Sequence, residues 1–311
     1  MNAPLLLIFL KKSHRLKLSI IIPTLNRVDD LSRTLDYLEH QSFQDFEILV
    51  IDQSDLPKKW EGHRIRYFPI PFKSASKARN LGLVEAKGDI VLFLDDDIII
   101  ENHHFLELHI KHYHDLKVSG VVGSILPLDR KKEMVLSVKA TNLNWGWMYF
   151  PPNYGVKTHV PNGGSGNLSV RRNWALDIGG MDERFEKGAF REETEFCLRY
   201  TLKYGLLVYD PEASIVHLGS PRGGSRSWEL ITGVIHGYQH MFGGWYLMFK
   251  RLNTRFWPRY IYSLLRRFLL HKKLLIRIYL MPVALFYFMR AFFSAWYFSM
   301  KPPLLIDKSN K

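Results

Sequence analysis

The residues best suited to chemistry are three aspartates, Asp95-Asp96-Asp97, which end the apolar run Ile90 to Leu94. Hard carboxylate oxygens at alternate positions, Asp95 and Asp97, suit Mg²⁺ or Mn²⁺, and such an ion can bridge and neutralise a diphosphate. An aspartate triplet serves equally as a solvated acidic turn, so its meaning rests on its neighbours. Pro23-Thr24-Leu25-Asn26-Arg27 follows the first apolar run and offers polar groups and loop backbone to a nucleotide. Alone it is a turn. Asp52, after Val50-Ile51, can accept from a base N–H or simply cap a strand end. Lys77, Arg79 and Asn80 open a helix, where cations and free N–H groups attract phosphate oxygens. The plainer reading is an exposed basic face.

Further along, Glu192-Glu193-Thr194-Glu195 begins another helical stretch. One of these carboxylates can act as a general base toward an acceptor hydroxyl, although acidic residues also favour helix N-termini electrostatically. His217 taken singly is a core histidine. Gly163-Gly164-Ser165-Gly166-Asn167 is a flexible turn with exposed backbone donors. It is neither a Walker loop nor a dinucleotide fingerprint, because no Gly-Lys-Ser/Thr follows and it does not follow the first strand.

The elements that must position these groups follow from hydrophobic patterning. From Leu18 onward, short β-rich runs alternate with helical patterns, the signature of a mainly parallel sheet flanked by helices in an α/β domain. Strands are expected at Leu18–Pro23, Phe46–Asp52, Ile65–Phe68 and Ile90–Leu94, then near Leu206–Asp210 and Ile215–His217. Helices are expected at Asp30–His40, at Ser76–Ala86 with Ser76 near its N-cap, and at Glu192–Tyr204. Residues 126–160, which carry Trp145, Trp147, Tyr149 and Phe150, read as a loop-rich insert facing a ligand or partner. Ligands of open α/β sheets bind at the carboxyl edge of the strands, and Pro23, Asp52 and Asp95 all fall on that edge.

Taken in order, these pieces resemble glycosyltransferase family 2 with its Rossmann-like GT-A fold. The match begins at Ser19-Ile20-Ile21-Ile22-Pro23-Thr24-Leu25-Asn26-Arg27 and passes through Leu49-Val50-Ile51-Asp52, Ala78-Arg79-Asn80-Leu81-Gly82 and Gly88 to Asp97. It continues through Gly166-Asn167 and Glu192 to Arg199, and ends near His217. The resemblance implies an inverting enzyme that uses a nucleotide-sugar donor and a divalent metal, Mn²⁺ or Mg²⁺. It implies that Asp52 contacts the base, that Asp95 and Asp97 form the Asp-x-Asp metal and nucleotide site with Asp96 between them, and that His217 completes the metal shell. The family's Glu-Asp pair is Glu192-Glu193 here, so the base assignment falls on Glu193 or Glu192. Arg222 and Arg226 stand where they can close over a diphosphate, or form a merely basic loop.

Charge adds a location. Thirteen Lys or Arg face one acid, Asp307, from His240 to Lys311, so this stretch holds +12 of the formal +13. The same stretch is rich in aromatic and aliphatic residues, which suits an anionic membrane surface; nucleic acid explains only the charge, and no nucleic-acid partner is expected. Arg259–Arg277, with Ile261, Leu264, Leu265, Phe268 and Leu269 among basic residues, fits a helix lying in the interface. Ile278–Met300 is long enough to span a bilayer, but Arg290 near its middle costs roughly 2.5–3.5 kcal/mol there, so interfacial burial competes with a span. A single cysteine, Cys197, suits a reducing compartment. The expectation is therefore an N-terminal extension (1–15), a catalytic domain (16–240) and a basic, aromatic, membrane-associated helical region (241–311) at the cytoplasmic face. The acceptor expected there is a lipid-linked sugar or a surface glycan. Two rivals remain at this stage: a sugar nucleotidyltransferase, and a non-catalytic membrane-bound scaffold.

Overall fold

A computed structural model describes residues 17–128, 154–187, 190–220, 223–224, 230–231 and 233–307. Trp145, Trp147, Tyr149, Phe150, Arg222, Arg226 and the extension 1–15 lie outside the described residues. The chain forms β1 (Leu18–Thr24), α1 (Val28–Glu39), β2 (Phe46–Asp52), β3 (Ile65–Pro69), α2 (Ala75–Glu85), β4 (Ile90–Leu94), β5 (Ile98–Ile99), α3 (Phe105–Ile110) and β6 (Gly120–Pro127). There follow β7 (Thr158–Val160), β8 (Asn167–Arg171), α4 (Arg172–Asp177), α5 (Glu192–Tyr204) and β9 (Leu207–His217). The C-terminal part holds the small hairpin β10 (Leu230–Ile231) and β11 (Ile235–His236), then α6 (Tyr238–Arg251), α7 (Trp257–Phe268), α8 (Lys272–Ile276) and α9 (Met281–Ser299).

The large sheet runs β3-β2-β1-β4-β8-β6-β9-β5, with β7 paired on β9. It is largely parallel, and antiparallel pairs enter where β8, β5 and β7 join. Helices cover both faces, which is why β4 is apolar at every position and wholly buried. Alternate residues feed two cores. Ile20, Ile22, Val50, Leu92 and Leu94 pack with Leu31, Leu35 and Leu38 of α1. Ile21, Leu49, Ile51, Val91 and Phe93 pack with Ala78 and Leu83 of α2 and with Phe196 and Tyr200 of α5. The result is a mixed α/β domain with a central sheet flanked by helices, as the sequence pattern implies.

Several local expectations change. The N-cap of α2 is Ser74, whose Oγ accepts from the Lys77 amide at 3.3 Å, and not Ser76, which is buried inside the helix. The two strands expected at Leu206–Asp210 and Ile215–His217 are one strand, β9, whose pairing with β6 shifts register between Gly123 and Ile125. Strands β6 and β8 were not legible from the pattern. The stretch Arg259–Arg277 is two helices, α7 and α8, and its apolar stripe faces inward: Leu264, Phe268 and Leu269 join Trp245, Tyr246 and Met248 of α6 in a third core. Arg259, Arg266 and Arg267 stay outside. The last helices thus form a layer packed on the α/β domain. Glu195 of α5 ties it down, accepting from Arg199 Nε at 2.9 Å and from Arg251 Nε at 2.9 Å. Burial pushes the Glu195 carboxyl up, but these two guanidinium groups hold it below its ordinary value.

Candidate active site

Parallel strands β1, β2 and β4 end side by side and deliver Thr24, Asp52 and the aspartate triplet to one edge of the sheet. A cleft opens there. Of the residues singled out from the sequence, Pro23, Thr24, Arg27, Arg79, Asp95, Asp96, Asp97 and His217 line it.

The three aspartates face different ways. Asp95 is partly exposed at the cleft mouth, with Oδ1 3.3 Å from Arg79 Nη2. Asp97 is buried, accepts from the Ser220 amide through Oδ2 at 3.0 Å, and has Oδ1 3.3 Å from His217 Nε2. That Oδ1 lies 3.1 Å from Arg27 Nη1 yet accepts no well-aligned hydrogen bond. Burial and the nearby Asp95 raise the Asp97 carboxyl above its ordinary value, against the pull of His217 and Arg27. Ligand atoms of Asp95, Asp97 and His217 all lie within 4.8 Å of one another. Two carboxylates and an imidazole form a donor set that Mn²⁺ or Mg²⁺ accepts, and the buried, under-used Asp97 oxygen is the kind of atom a cation satisfies. The residues present therefore fit a divalent ion.

Asp96 points the other way. Its carboxylate accepts from Thr24 Oγ1 at 2.7 Å and from Arg27 Nη1 at 2.9 Å, and burial lifts its pKa to about 7. These bonds anchor the β1 turn at the floor of the cleft, which Asp96 and Thr24 both line. The same turn is roofed by Gly224, whose amide donates to the Leu25 carbonyl at 2.9 Å. A side chain at Gly224 would meet the Arg27 guanidinium at 2.6 Å, and its φ of +59° is the left-handed region.

Asn26, Lys77 and Asn80 each have protein partners. Asn26 pairs with Asp55 in both directions, donating to its carboxylate at 3.0 Å and accepting from its amide at 3.1 Å, which locks the β1 and β2 loops together. Lys77 turns to Glu186, 3.8 Å away. Asn80 is buried and clamps Met181, accepting its amide proton at 2.7 Å and donating to its carbonyl at 2.9 Å. Asp52 accepts from the Tyr67 hydroxyl at 2.8 Å and the Ser54 amide at 2.9 Å, contacts that orient its carboxylate. Its neighbour Gln53 lines the cleft.

Glu192 and Glu193 sit in the first turn of α5, after Arg191 turns the chain with φ of +79°. Arg79 joins this turn to the aspartates, since its Nη1 lies 3.6 Å from Glu192 Oε1. Burial and the adjacent Glu193 carboxylate push Glu192 well above the ordinary carboxyl range, although Arg79 opposes them. Glu192 therefore holds its proton more tightly than an ordinary carboxyl.

Sequence reasoning missed Gln53, Ala75 and Lys187 in the cleft wall. Gln53 Oε1 accepts from the Ser74 amide at 2.7 Å, tying β2 to the start of α2. It also missed a support behind Asp95. The Tyr113 hydroxyl donates to Ser169 Oγ at 2.8 Å, His109 bridges Ser169 and Asn167, each at 2.9 Å, and Asn167 Nδ2 donates to the Ser124 and Ala213 carbonyls at 3.0 and 2.8 Å. With its amide nitrogen so committed, Asn167 presents its oxygen to His109, which donates from Nε2 and accepts at Nδ1. This fixes β8 and with it Gly166, whose backbone passes so close to Asp95 that a Cβ would lie 2.2 Å from Asp95 Oδ2.

Comparison with known proteins gives the family and the fold. The model of glycosyl transferase family 2 matches residues 19–175, half of the chain, and the chain belongs to that family. A pre-mycofactocin glycosyltransferase of Mycobacterium tuberculosis is 26% identical over 215 residues, 66% of this chain and 43% of that protein. A GalNAc(5)-diNAcBac-PP-undecaprenol β-1,3-glucosyltransferase of Campylobacter jejuni is 38% identical over 91 residues, 26% of this chain and 29% of that protein. The chain thus spans less than half the length of either relative. A mannosyltransferase of Pyrobaculum calidifontis, solved in complex with GDP-Man and Mn²⁺, superposes with a TM-score of 0.52 at 14% identity, covering 92% of this chain and 76% of that one. That likeness establishes the GT-A fold.

Proposed function

We propose that this enzyme moves a sugar from a nucleotide-sugar donor to a lipid-linked sugar or growing surface glycan, with inversion at the anomeric carbon. The observation that carries the reading is the convergence of Asp95, Asp97 and His217, with ligand atoms within 4.8 Å of one another, at the carboxyl edge of the sheet. When bound there, a divalent ion supplies charge neutralisation for the departing nucleoside diphosphate. Asp52, oriented by Tyr67 and Ser54, is the group for a base N–H. Arg79 and Lys187 supply positive charge along the cleft wall for phosphate oxygens. Glu192 is committed to Arg79, which leaves Glu193 to take the proton of the acceptor hydroxyl while that oxygen attacks from the face opposite the leaving group.

The acceptor class rests on the basic, apolar C-terminal layer and on the name of the Campylobacter relative, which specifies a PP-undecaprenol carrier. The enzyme is placed at the cytoplasmic face of the membrane: a single cysteine needs no oxidising compartment, and the basic tail suits an anionic leaflet. Incubation with a panel of nucleotide sugars and polyprenyl-diphosphate-linked acceptors, with the product anomer read by NMR, tests the proposal. An inverted product that needs Mn²⁺ or Mg²⁺ and vanishes in Asp97→Asn is expected. A retained configuration, or full transfer by Asp97→Asn, would contradict it.

A further inference from the structure

Ile278–Ser299 is the one stretch among the described residues long and apolar enough to cross a membrane. We propose that it does not cross. Instead α9 lies in the plane of an anionic membrane surface, with its outer apolar face in the lipid. The inference rests on the membrane reading above and adds the geometry of attachment.

Both ends of α9 are fastened to one folded body. Before it, Leu274 of α8 and Leu280 are packed into the third core. After it, the chain returns at once to the catalytic domain. Arg184 Nη2 donates to the Pro302 carbonyl at 2.8 Å, the Glu183 amide donates to the Leu304 carbonyl at 2.8 Å, and the Ile306 amide donates to the Gly179 carbonyl at 2.9 Å. Asp182 accepts from the Leu304 amide at 3.0 Å. A helix of this length rises about 28 Å, nearly the thickness of the hydrocarbon layer, so a span would carry its end to the far side of the bilayer. Residues 302–306 cannot lie there while bonded to Gly179, Asp182 and Glu183. These same residues continue into Lys187 at the donor cleft, so a span would also pull apart the segment that builds the site.

The helix is two-sided in a way that suits the plane. Ala284, Phe288, Ala291 and Ala295 recur at helical spacing and are buried, with Phe288 against Trp245 of α6 at 5.1 Å between ring centroids. Leu285, Phe286, Met289, Phe293, Trp296 and Tyr297 are exposed, Phe286 at 63% and Phe293 at 56%. Apolar exposure continues backward through Ile276, Ile278 and Tyr279. Exposed cations bracket this face, with Lys272, Lys273 and Arg277 before it and Lys301 after it, and the sequence has no acid from Leu252 to Ile306. Arg290, midway along α9, lies over the Tyr238 ring at 4.6 Å. In a span it would sit at the bilayer centre; in the plane it stays at headgroup depth. Apolar rings framed by uncompensated positive charge fit anionic lipid better than a protein surface.

The test uses the full chain with vesicles of phosphatidylglycerol and phosphatidylcholine. Cys197 is buried, so single cysteines placed at Phe286, Met289 and Phe293 take a fluorophore selectively. All three labels should be quenched mainly by a shallow-positioned lipid quencher, and an epitope added after Lys311 should be cut by external protease. Phe286→Glu and Phe293→Glu should each weaken vesicle binding about tenfold or more, as expected for loss of a buried ring, with melting curves unchanged. Leu202→Glu, at an exposed leucine on α5, should not. A protected epitope with deep quenching along α9 would overturn the in-plane geometry. Failure to bind anionic vesicles, or a lipid-independent dimer broken by the two glutamate variants, would overturn the lipid occupant. None of these readouts requires sugar transfer, so they fail or succeed independently of the enzymatic reading.

Discussion

His217 Nε2, at the end of β9, stands 3.3 Å from Oδ1 of Asp97, beyond the end of β4. The contact depends on β9 pairing with β5, which sets Ile98 opposite His217. If Asp95, Asp97 and His217 hold a cation as proposed, one imidazole and two carboxylates should contribute unequally to its binding. His217→Ala should weaken Mn²⁺ affinity by at least about one to two orders of magnitude, the loss typical when a metal site loses even an outer-shell partner, whereas Asp97→Asn should remove measurable binding. Isothermal titration with Mn²⁺ checks the order; equal affinity in all three proteins would contradict it.

Arg79 stands between Asp95 and Glu192, 3.3 Å from the one and 3.6 Å from the other. A cation lowers the pKa of nearby carboxyls, so Arg79→Met should let Glu192 keep its proton to higher pH. The acid limb of the kcat–pH profile should move upward, and kcat at neutral pH should fall about a hundredfold with loss of a phosphate-facing charge. A lower kcat with an unmoved acid limb would remove Arg79 from the base's environment.

The Asp95 amide donates to the Gly166 carbonyl at 3.3 Å. Gly166→Ala must displace the Asp95 carboxylate, because the new Cβ would lie 2.2 Å from Oδ2. Stability should drop by about 1–3 kcal/mol, typical of overpacking, while metal-dependent activity falls far more. Parallel melting curves and transfer assays separate the two effects, and an active Gly166→Ala enzyme would show that Asp95 tolerates displacement.

His109 gives the fold a pH dependence whose sign is fixed. Burial lowers its pKa from 6.5 to about 4, so between those values the unfolded chain binds the proton that the folded chain excludes. Its stabilising contribution is complete above pH 6.5 and is lost as pH falls toward 4, an effect of about 3 kcal/mol. Urea unfolding at pH 7 and pH 4.5 should show this loss in the wild type and a smaller one in His109→Gln. Equal slopes would place the acid sensitivity elsewhere.

What was legible in the chain was what local pattern encodes. β2 and α5 are found at their expected bounds because an apolar run and an amphipathic period declare them, and the triplet Asp95-Asp96-Asp97 is visible because a buried strand ends on it. β8, Asn-Leu-Ser-Val-Arg, was not legible: its buried Asn167 and Ser169 are paid for by His109 and Tyr113, partners that only the tertiary fold brings near. Asp210-Pro211-Glu212 reads as a break, yet β9 passes through it, with Asp210 held by His112 Nε2 at 2.7 Å. Cleft residues divided in the same way. Spacing marked Asn80 and Asn26 as polar groups near a helix start and a turn, but could not reveal that both are consumed in bracing loops.

The most direct test of the central claim is the unfolding midpoint of the full chain against a panel of nucleoside diphosphates, with and without Mn²⁺, in the wild type and Asp97→Asn. A ligand at about a hundred times its Kd adds about 2.7 kcal/mol, or about 5 °C for a domain of this size. The account predicts a rise of that order for at least one nucleotide, dependent on Mn²⁺ and absent from Asp97→Asn. A midpoint that no nucleotide moves, or one that moves equally in the variant, would contradict a metal and nucleotide site at Asp95, Asp97 and His217.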